Sequence, residues 1–310
     1  MDNYNRIQEL LHKKAELQAR LNLIPYDGSP EIKGTNGNKY IYIRKRIASK
    51  LTSTYVDLYS EELFQKLLKD AKESRALKKE LRHLEKELAL LGYVKEELNN
   101  NVLINLDYAR SSMKEIIYDQ AILEGVSTTF PQTETIIENG NVSGMKASDV
   151  QKILNLKHAW EFILDKDMMT YPSDFNLLSH IAKVVNEGFY EYGGKIRTVP
   201  VSIGGSTYRP IIPNETDVKS TIKSIQEENV TYMSAIKLCL YCMKTQVFID
   251  GNKRTAVIFA NHYLISHGLG LLVIKNEFVP KFKQLLIEYY EERNTDIIDF
   301  MMDNCIRKII

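Results

Sequence analysis

Apolar positions recur at helical spacing from the start of the chain. Ile7, Leu10, Leu11, Leu17 and Leu21 predict a helix over residues 3–22. The turn-forming run Ile-Pro-Tyr-Asp-Gly-Ser-Pro at 24–30 ends it. Between 36 and 59 the period changes to two: Tyr40, Tyr42 and Arg44 share one face and Ile41 and Ile43 the other, as in half-buried strands. From about Ser60 to Leu98 the helical period returns on a strongly charged background. Leu81, Leu84, Leu88 and Leu91 form a 3-4-3 stripe there, a coiled-coil-like seam that suits pairing with helix 3–22 but is too short to specify a dimer. The charged faces of this helix read as solvated, with partner binding as the second reading.

The run Asn-Asn-Asn-Val-Leu at 99–103 marks a module boundary. Beyond it the pattern predicts helices over 106–123, 148–166, 173–192, 217–229, 233–245, 252–267, 278–292 and 295–307. One segment differs. Over 197–213, Val199, Val201 and Ile203 alternate, Gly204-Gly205 turns the chain, and Tyr208 and Ile211 follow, which is the signature of a β-hairpin. The expected architecture is mainly α: a helical and β-hairpin module over 1–100 and a larger helical domain over 101–310 that carries a hairpin. Thr255 to Ile274 holds no Lys, Arg, Asp or Glu, which raises a membrane span. Asn261, His262, Ser266, His267 and two glycines interrupt it, so a buried helix followed by a turn is the better reading. The first residues lack the apolar core of a signal peptide, and the expected setting is cytoplasmic, with no membrane.

Composition changes this picture little. The 310 residues carry 41 Lys+Arg against 40 Asp+Glu, a formal charge of +1, and 44% are hydrophobic. This is ordinary globular usage and excludes collagen-like, disordered and disulfide-scaffold classes. Near-neutrality argues against bulk non-specific nucleic-acid binding but leaves local patches open. One such patch is Lys39, Arg44, Lys45, Arg46 and Lys50: no acid lies within 39–50, and Tyr40 and Tyr42 interleave the cations. Nucleic acid is a secondary partner reading for that ribbon. The leading reading is a solvated hairpin whose tyrosines pack on the neighbouring helix. Three cysteines are an odd count that suits a reducing compartment. Cys239 and Cys242 form a C-x-x-C inside an apolar run, where buried structural thiols are expected over a redox pair, and no second Cys/His pair completes a zinc site.

The most informative stretch is 245–265. Asp250, Gly251 and Asn252 form a turn, and Lys253, Arg254 and Thr255 open an apolar helix. A helix start attracts anions through its free N–H groups and dipole. Lys253 and Arg254 placed there make a phosphate cradle, Arg254 offering a bidentate fork. Asp250 beside it is a hard oxygen ligand suited to Mg²⁺. The same residues also fit an ordinary turn and cap.

Phe248-x-Asp250-Gly251-Asn252-Lys253-Arg254 resembles the signature of the Fic/Doc (Fido) family, H-x-F-x-[DE]-G-N-[GK]-R. The hairpin at 197–213 resembles the family's flap, and Tyr-Arg-Pro-Ile-Ile-Pro after it is similar to the flap exit. Ile-Leu-Glu-Gly at 122–125 resembles the inhibitory-helix motif [ST]xxxE[GN], and the Tyr-rich strands at 38–56 resemble a lead-in of some members. The resemblance covers about residues 105–308. It implies a compact helical fold that uses ATP and Mg²⁺ to transfer AMP to a protein hydroxyl. It further implies that Asp250 holds Mg²⁺, that Gly251, Asn252, Lys253 and Arg254 bind the phosphates, and that Phe248 sits beneath the loop. The flap residues Val201, Ile203, Gly204, Gly205 and Tyr208 would dock a target protein by strand addition. Glu124 would be inhibitory.

Three departures qualify these implications. The family's general-base histidine falls at Gln246, whose neutral amide cannot take a proton at pH 7. Loss of a general base typically costs about 10²–10⁴ in rate. Lys253 stands where most AMP-transferring members have glycine, and resembles the Doc-like branch that transfers phosphate. Val257 replaces a second arginine that pairs with the inhibitory glutamate, and Gln120 stands where the motif has Ser or Thr. Glu124 thus reads first as a helix-end residue before the capping Gly125, without its usual partner, and an inhibitory role is the second reading. Three functions remain at this stage: an altered-mechanism transferase, a nucleotide-binding pseudoenzyme, and a nucleic-acid-binding protein regulated by its second domain. The oligomeric state stays open.

Overall fold

The computed structural model describes residues 3–35, 37–47, 50–95, 97–140, 142–228 and 230–309. The chain divides into two compact units, residues 1–94 and 95–310.

In the first unit, helix α1 (Asn3–Leu23) leads into strands β1 (Ser29–Thr35), β2 (Asn38–Ile47) and β3 (Lys50–Leu58), and helix α2 (Glu61–Leu90) closes it. The leucine stripe does what its spacing predicts. Leu77, Leu81, Leu84 and Leu88 of α2 bury against Leu10, Leu11 and Leu17 of α1. Full burial of one such side chain contributes about 1.5–3 kcal/mol. The strands form an antiparallel meander in the order β1-β2-β3, one strand more than a hairpin. β1 carries Pro30 and Gly34 and no apolar alternation, which conceals a strand that only an edge position tolerates. Ile41 and Ile43 turn inward onto Leu67 of α2, together with Val56, Leu63 and Phe64.

The second unit is helical: α3 (Asn100–Ser111), α4 (Met113–Leu123), α5 (Phe130–Asn139), α6 (Ala147–Ile163), α7 (Phe175–Val185), α8 (Glu215–Glu228), α9 (Tyr232–Thr245), α10 (Asn252–Ser266), α11 (Val279–Tyr290) and α12 (Asp296–Asn304). A short ladder pairs β4 (Leu271–Leu272) with β5 (Ile306–Arg307). The single helix expected over 106–123 is two, broken at Ser112, and α3 begins earlier because the Asn99 side chain accepts from Val102 N–H and caps it. α5 escapes the hydrophobic period but has clear ends: a capping box between Thr129 and Gln132, Pro131 in the first turn and Gly140 with φ 73° at the end.

α10 is the centre of this unit. Every residue from Arg254 to Ile265 is buried, and the helix packs on α9, α7, α6 and α3. That enclosure explains the lack of charge after Arg254. No helix among the described residues is long and apolar enough to cross a membrane. Two of its buried polar side chains, Asn261 and His262, are satisfied internally. Asn261 donates to Val257 O and Leu272 O and accepts from Leu272 N–H, which pins β4. His262 lies between Met168 O at 2.7 Å and Ser173 Oγ at 2.8 Å. A carbonyl only accepts, so Nε2 carries the proton and Nδ1 accepts from the serine hydroxyl. Cys239, Cys242 and Cys305 are free and buried, and burial pushes the Cys242 and Cys305 thiols up to about 12. They are inert packing groups.

His262 gives this core a definite acid response. Burial lowers its pKa to about 4, below the ordinary histidine value of 6.5. As pH falls through 6.5 the unfolded chain takes up a proton that the folded chain refuses, so stability is lost until about pH 4, where both forms are protonated. The loss is about 3 kcal/mol. Urea unfolding at about pH 7 and about pH 4 should show wild type losing that much more than His262→Gln. Equal losses would mean that the imidazole is not held neutral in the core.

Candidate functional site

α9 ends at Gln246, which turns the chain through the left-handed region (φ 49°, ψ 61°). Side chains of this size rarely adopt that conformation, so something must hold it. Its own amide does. Nε2 donates to Met243 O at 2.6 Å, and Oε1 accepts from Asn252 Nδ2 at 3.2 Å. Asn252 also accepts from Phe248 N–H at 2.9 Å and donates to Phe248 O at 2.8 Å. Gln246, Phe248 and Asn252 thus close the loop on itself, with Phe248 buried beneath it.

Gly251 follows with φ +73° and is the α10 N-cap. A Cβ there would lie 2.9 Å from Asn186 Oδ1 and 3.0 Å from Val185 Cγ1, so conformation and space both demand glycine. Asn186, the residue that ends α7, donates to Asp250 O at 3.0 Å and to Ala182 O at 3.0 Å. The first helical bond runs from Thr255 N–H to Gly251 O. The N–H groups of Asn252, Lys253 and Arg254 precede it and form the anion-attracting end of α10.

Arg254 is 1% exposed. Its Nη1 donates to Val185 O at 3.1 Å and its Nη2 pairs with Asp250 Oδ2 at 3.3 Å. Glu124 Oε2 lies 3.3 Å from its Nε, and Glu124 Oε1 lies 3.8 Å from Lys253 Nζ. Val257 cannot pair with Glu124, so its usual partner is missing as expected, and the carboxylate turns to Arg254 itself. These are ion pairs without aligned hydrogen bonds, since Arg254 Nε and Glu124 Oε1 are both buried without a hydrogen-bond partner. The backbone role expected of Glu124 also holds, because it caps α4 ahead of Gly125 at φ +76°. Gln120 is more than a departure from a motif. Its Nε2 donates to Arg254 O and its Oε1 accepts from Trp160 Nε1, both at 2.9 Å, so α4 and α6 grip the α10 backbone at the site.

Asp250 is the most open of these groups, with its side chain 49% exposed. Lys253 is half-buried. His262, the nearest histidine in sequence, is locked in the core as described above and offers no base. His158 pairs with Glu187 at 3.2 Å.

The segment 197–213 turns at Gly204–Gly205 as expected, with a bond from Ser206 N–H to Ile203 O, but its arms form no strand ladder. The reason is Arg197, a residue the sequence reading missed. Its buried guanidinium takes the carbonyls that a ladder would use: Nη1 donates to Val199 O at 2.8 Å and Nη2 to Ile211 O at 2.6 Å. Pro200, Pro210 and Pro213 remove ladder donors besides. The same guanidinium donates through Nε to Gln246 O at 2.6 Å. One side chain therefore ties the base of the flap to the loop. The flap tip is held separately: the Glu291 carboxylate accepts from Thr207 N–H and Ser206 Oγ, which keep it below the usual carboxylate range. Val201 and Ile203 are half-buried and Gly204 and Gly205 exposed, while Tyr208 stacks on Tyr290 with ring centroids 6.3 Å apart. Beside the return arm lies a cavity of about 510 Å³, lined by Tyr208, Ile211, Val218, Tyr241, Lys244 and Tyr289 among others.

The architecture and the loop have counterparts among known proteins. Residues 172–264 match the model of the Fic/DOC family, and residues 4–65 match a domain of unknown function, DUF6788. No curated protein is significantly similar to the chain in sequence. Among solved structures, a Fic-domain-containing signaling protein from Bacteroides thetaiotaomicron is similar with a TM-score of 0.54 at 18% identity, over 67% of this chain and 86% of that one. Fic-1 of C. elegans is similar with a TM-score of 0.51 at 17% identity, over 76% and 72%. A Fic family protein from Desulfovibrio desulfuricans has a TM-score of 0.51 at 14% identity, over 68% and 73%. At these identities the likeness is one of fold, and the family match falls on the segment that holds Arg197, Gln246, Asp250 and Arg254. The chain therefore carries a Fic/DOC-family domain.

Proposed function

We propose that this domain binds Mg²⁺-ATP at the first turn of α10 and transfers part of the nucleotide, AMP in the ordinary reaction of the family, to a hydroxyl of a protein held at the flap. The observation that carries the reading is the position of Glu124. An internal carboxylate, 12% exposed, rests on Arg254 and Lys253 without an aligned hydrogen bond to either. The two cations are thus arranged for an anion and hold a poorly fitted one. Phosphate oxygens offer the bidentate geometry that a guanidinium prefers.

In this reading Arg254 grips the terminal phosphates, Lys253 adds charge and the α10 N–H groups line the anion site. Glu124 must withdraw first, which makes it inhibitory. The exposed Asp250 carboxylate fits Mg²⁺, which takes one or two carboxylates together with substrate phosphates. Bound there, the ion would neutralise charge on the phosphates. Asn252 acts through the loop it holds, and Val201, Ile203 and Tyr208 bear on the docked target segment.

Transfer of AMP joins the target oxygen to the α-phosphorus and releases pyrophosphate and the hydroxyl proton. Gln246 cannot accept that proton, and both ends of its amide are already engaged. The reaction then relies on positioning and charge, which carry much of the catalysis of such transfers. Lys253 leaves the transferred group, AMP or phosphate, to be read by labelling. The same Gln246 geometry favours a second reading, a nucleotide-binding pseudoenzyme that acts through its flap.

Calorimetry with Mg²⁺-ATP should show binding by wild type and none by Arg254→Ala. Glu124→Ala should bind about tenfold tighter, about 1.4 kcal/mol, because a competing ion pair is removed. Equal affinity in wild type and Arg254→Ala would sink the phosphate role.

ATP labelled separately at the α and γ positions, incubated in lysate, then reports the chemistry. Label from α alone means AMP transfer, and label from γ alone means phosphate transfer. Gln246→His should raise the rate by about 10²–10⁴. Binding without transfer of either label, in wild type and in Gln246→His, would establish the pseudoenzyme.

A further inference from the structure

The first unit has a surface that the nucleotide site does not use. From Ile32 to Val56 the chain has no Asp or Glu, while Lys33, Lys39, Arg44, Lys45, Arg46 and Lys50 fall within it. Residues 48 and 49 of this ribbon lie outside the described residues. The sequence favoured a hairpin whose tyrosines pack on the neighbouring helix, and the sheet is built the other way. Ile41 and Ile43 face α2, so the alternation of β2 puts Tyr40, Tyr42, Arg44 and Arg46 on the opposite face.

The sheet register gathers further residues there. Tyr55 of β3 stands opposite Tyr42, Ser53 opposite Arg44 and Leu51 opposite Arg46. Tyr55 is 51% exposed, and its ring centroid lies 5.7 Å from that of Tyr42 and 6.1 Å from that of Tyr40. The three rings form one aromatic platform. Lys33 of β1 lies over the Tyr42 ring at 4.5 Å. Glu31, the one acid on this face of β1, is already bound to Lys33 and Ser53. Arg44 and Arg46 are exposed and extend from the platform along β2. The cations of the inner face are engaged elsewhere: Lys45 pairs with Asp27 at 2.7 Å, and Lys39 lies over Tyr59.

We propose that this face binds single-stranded nucleic acid. The bases stack on the Tyr40–Tyr42–Tyr55 platform, and the backbone phosphates run along Arg44 and Arg46. A row of rings flanked by a row of cations matches the two repeating features of a single strand, its base faces and its phosphates. A duplex buries its base faces and meets only the cations. An acidic peptide or an anionic membrane offers charge but nothing that requires an aromatic platform. The proposal is independent of the nucleotide site in the second unit.

The test is fluorescence anisotropy of the full chain, without ATP, with an oligothymidine of about a dozen nucleotides, a length within the site sizes of such surfaces. Salt is varied, and a duplex of equal charge and anionic phosphatidylserine vesicles are run in parallel. Binding should weaken as salt rises. The double variant Arg44→Ala/Arg46→Ala should reduce the slope of log affinity against log salt by about 1.4, two phosphates at about 0.7 each. Tyr55→Ala should weaken binding about tenfold with the slope unchanged, and Tyr55→Phe should restore it, since stacking needs the ring and not the hydroxyl. Far-ultraviolet circular dichroism of each variant confirms the sheet. Arg254→Ala should bind the oligonucleotide as wild type does, which separates this site from the ATP reading. The proposal is overturned by absence of binding at low salt, by equal affinity for the duplex, by a slope indifferent to Arg44 and Arg46, or by vesicle binding in place of oligonucleotide binding.

Discussion

A guanidinium buried at the start of the central helix sets the constraint that the second unit is built around. Arg254 is 1% exposed, and an uncompensated charge at that depth would cost several kcal/mol. The compensation comes from three separate places, Glu124 at the end of α4, Val185 O at the end of α7 and Asp250 in the loop, while Gln120 holds the backbone of Arg254. Each partner fixes the position of its own segment. The arrangement also lowers the cost of binding an anion. Glu124 has already desolvated the arginine, so an anion taking its place would exchange one charge for another rather than strip water from a bare cation.

A second buried guanidinium does the same for the flap. Arg197 replaces a strand ladder with side-chain bonds to Val199 O and Ile211 O, and its remaining N–H reaches Gln246 O. The flap and the loop are thus coupled through one planar group. A ladder would have made the flap self-sufficient. Built on Arg197 at the base and Glu291 at the tip, its conformation depends on the loop and on α11. Its backbone groups are not committed to each other in a ladder, which suits a segment expected to add a partner strand.

The helical fold was legible because its signals are local and periodic. The leucine seam of α2, the buried α10 and the alternation of β2 all follow from spacing. The elements that escaped are those whose evidence is not periodic. α5 is marked by caps, β1 is a polar edge strand, and the break at Ser112 leaves the apolar pattern intact. Of the site, the loop residues Asp250 to Arg254 could be read, since a glycine, an acid and two bases at a helix start have a direct physical meaning. Arg197, Asn186 and Gln120 could not. They lie 134 to 57 positions from Arg254, and their importance rests on the backbone carbonyls they reach, which no residue type announces. Glu124 was legible as a carboxylate near the site, but its partner was not, because the pairing depends on what Val257 leaves open.

Gln246 shows how the loop can be kept while a base is absent. Its backbone is left-handed, and its amide offers a donor and an acceptor at once. The donor closes on Met243 O. The acceptor meets Asn252, whose own amide grips both backbone groups of Phe248. A histidine could supply one donor and one acceptor only while neutral, and on protonation it would present two donors to a neighbour that itself donates. Glutamine keeps its acceptor at every pH. The amide offers no proton transfer, but it gives a loop whose geometry does not titrate, and through Asn252 that geometry carries over to Asp250, Gly251 and the start of α10.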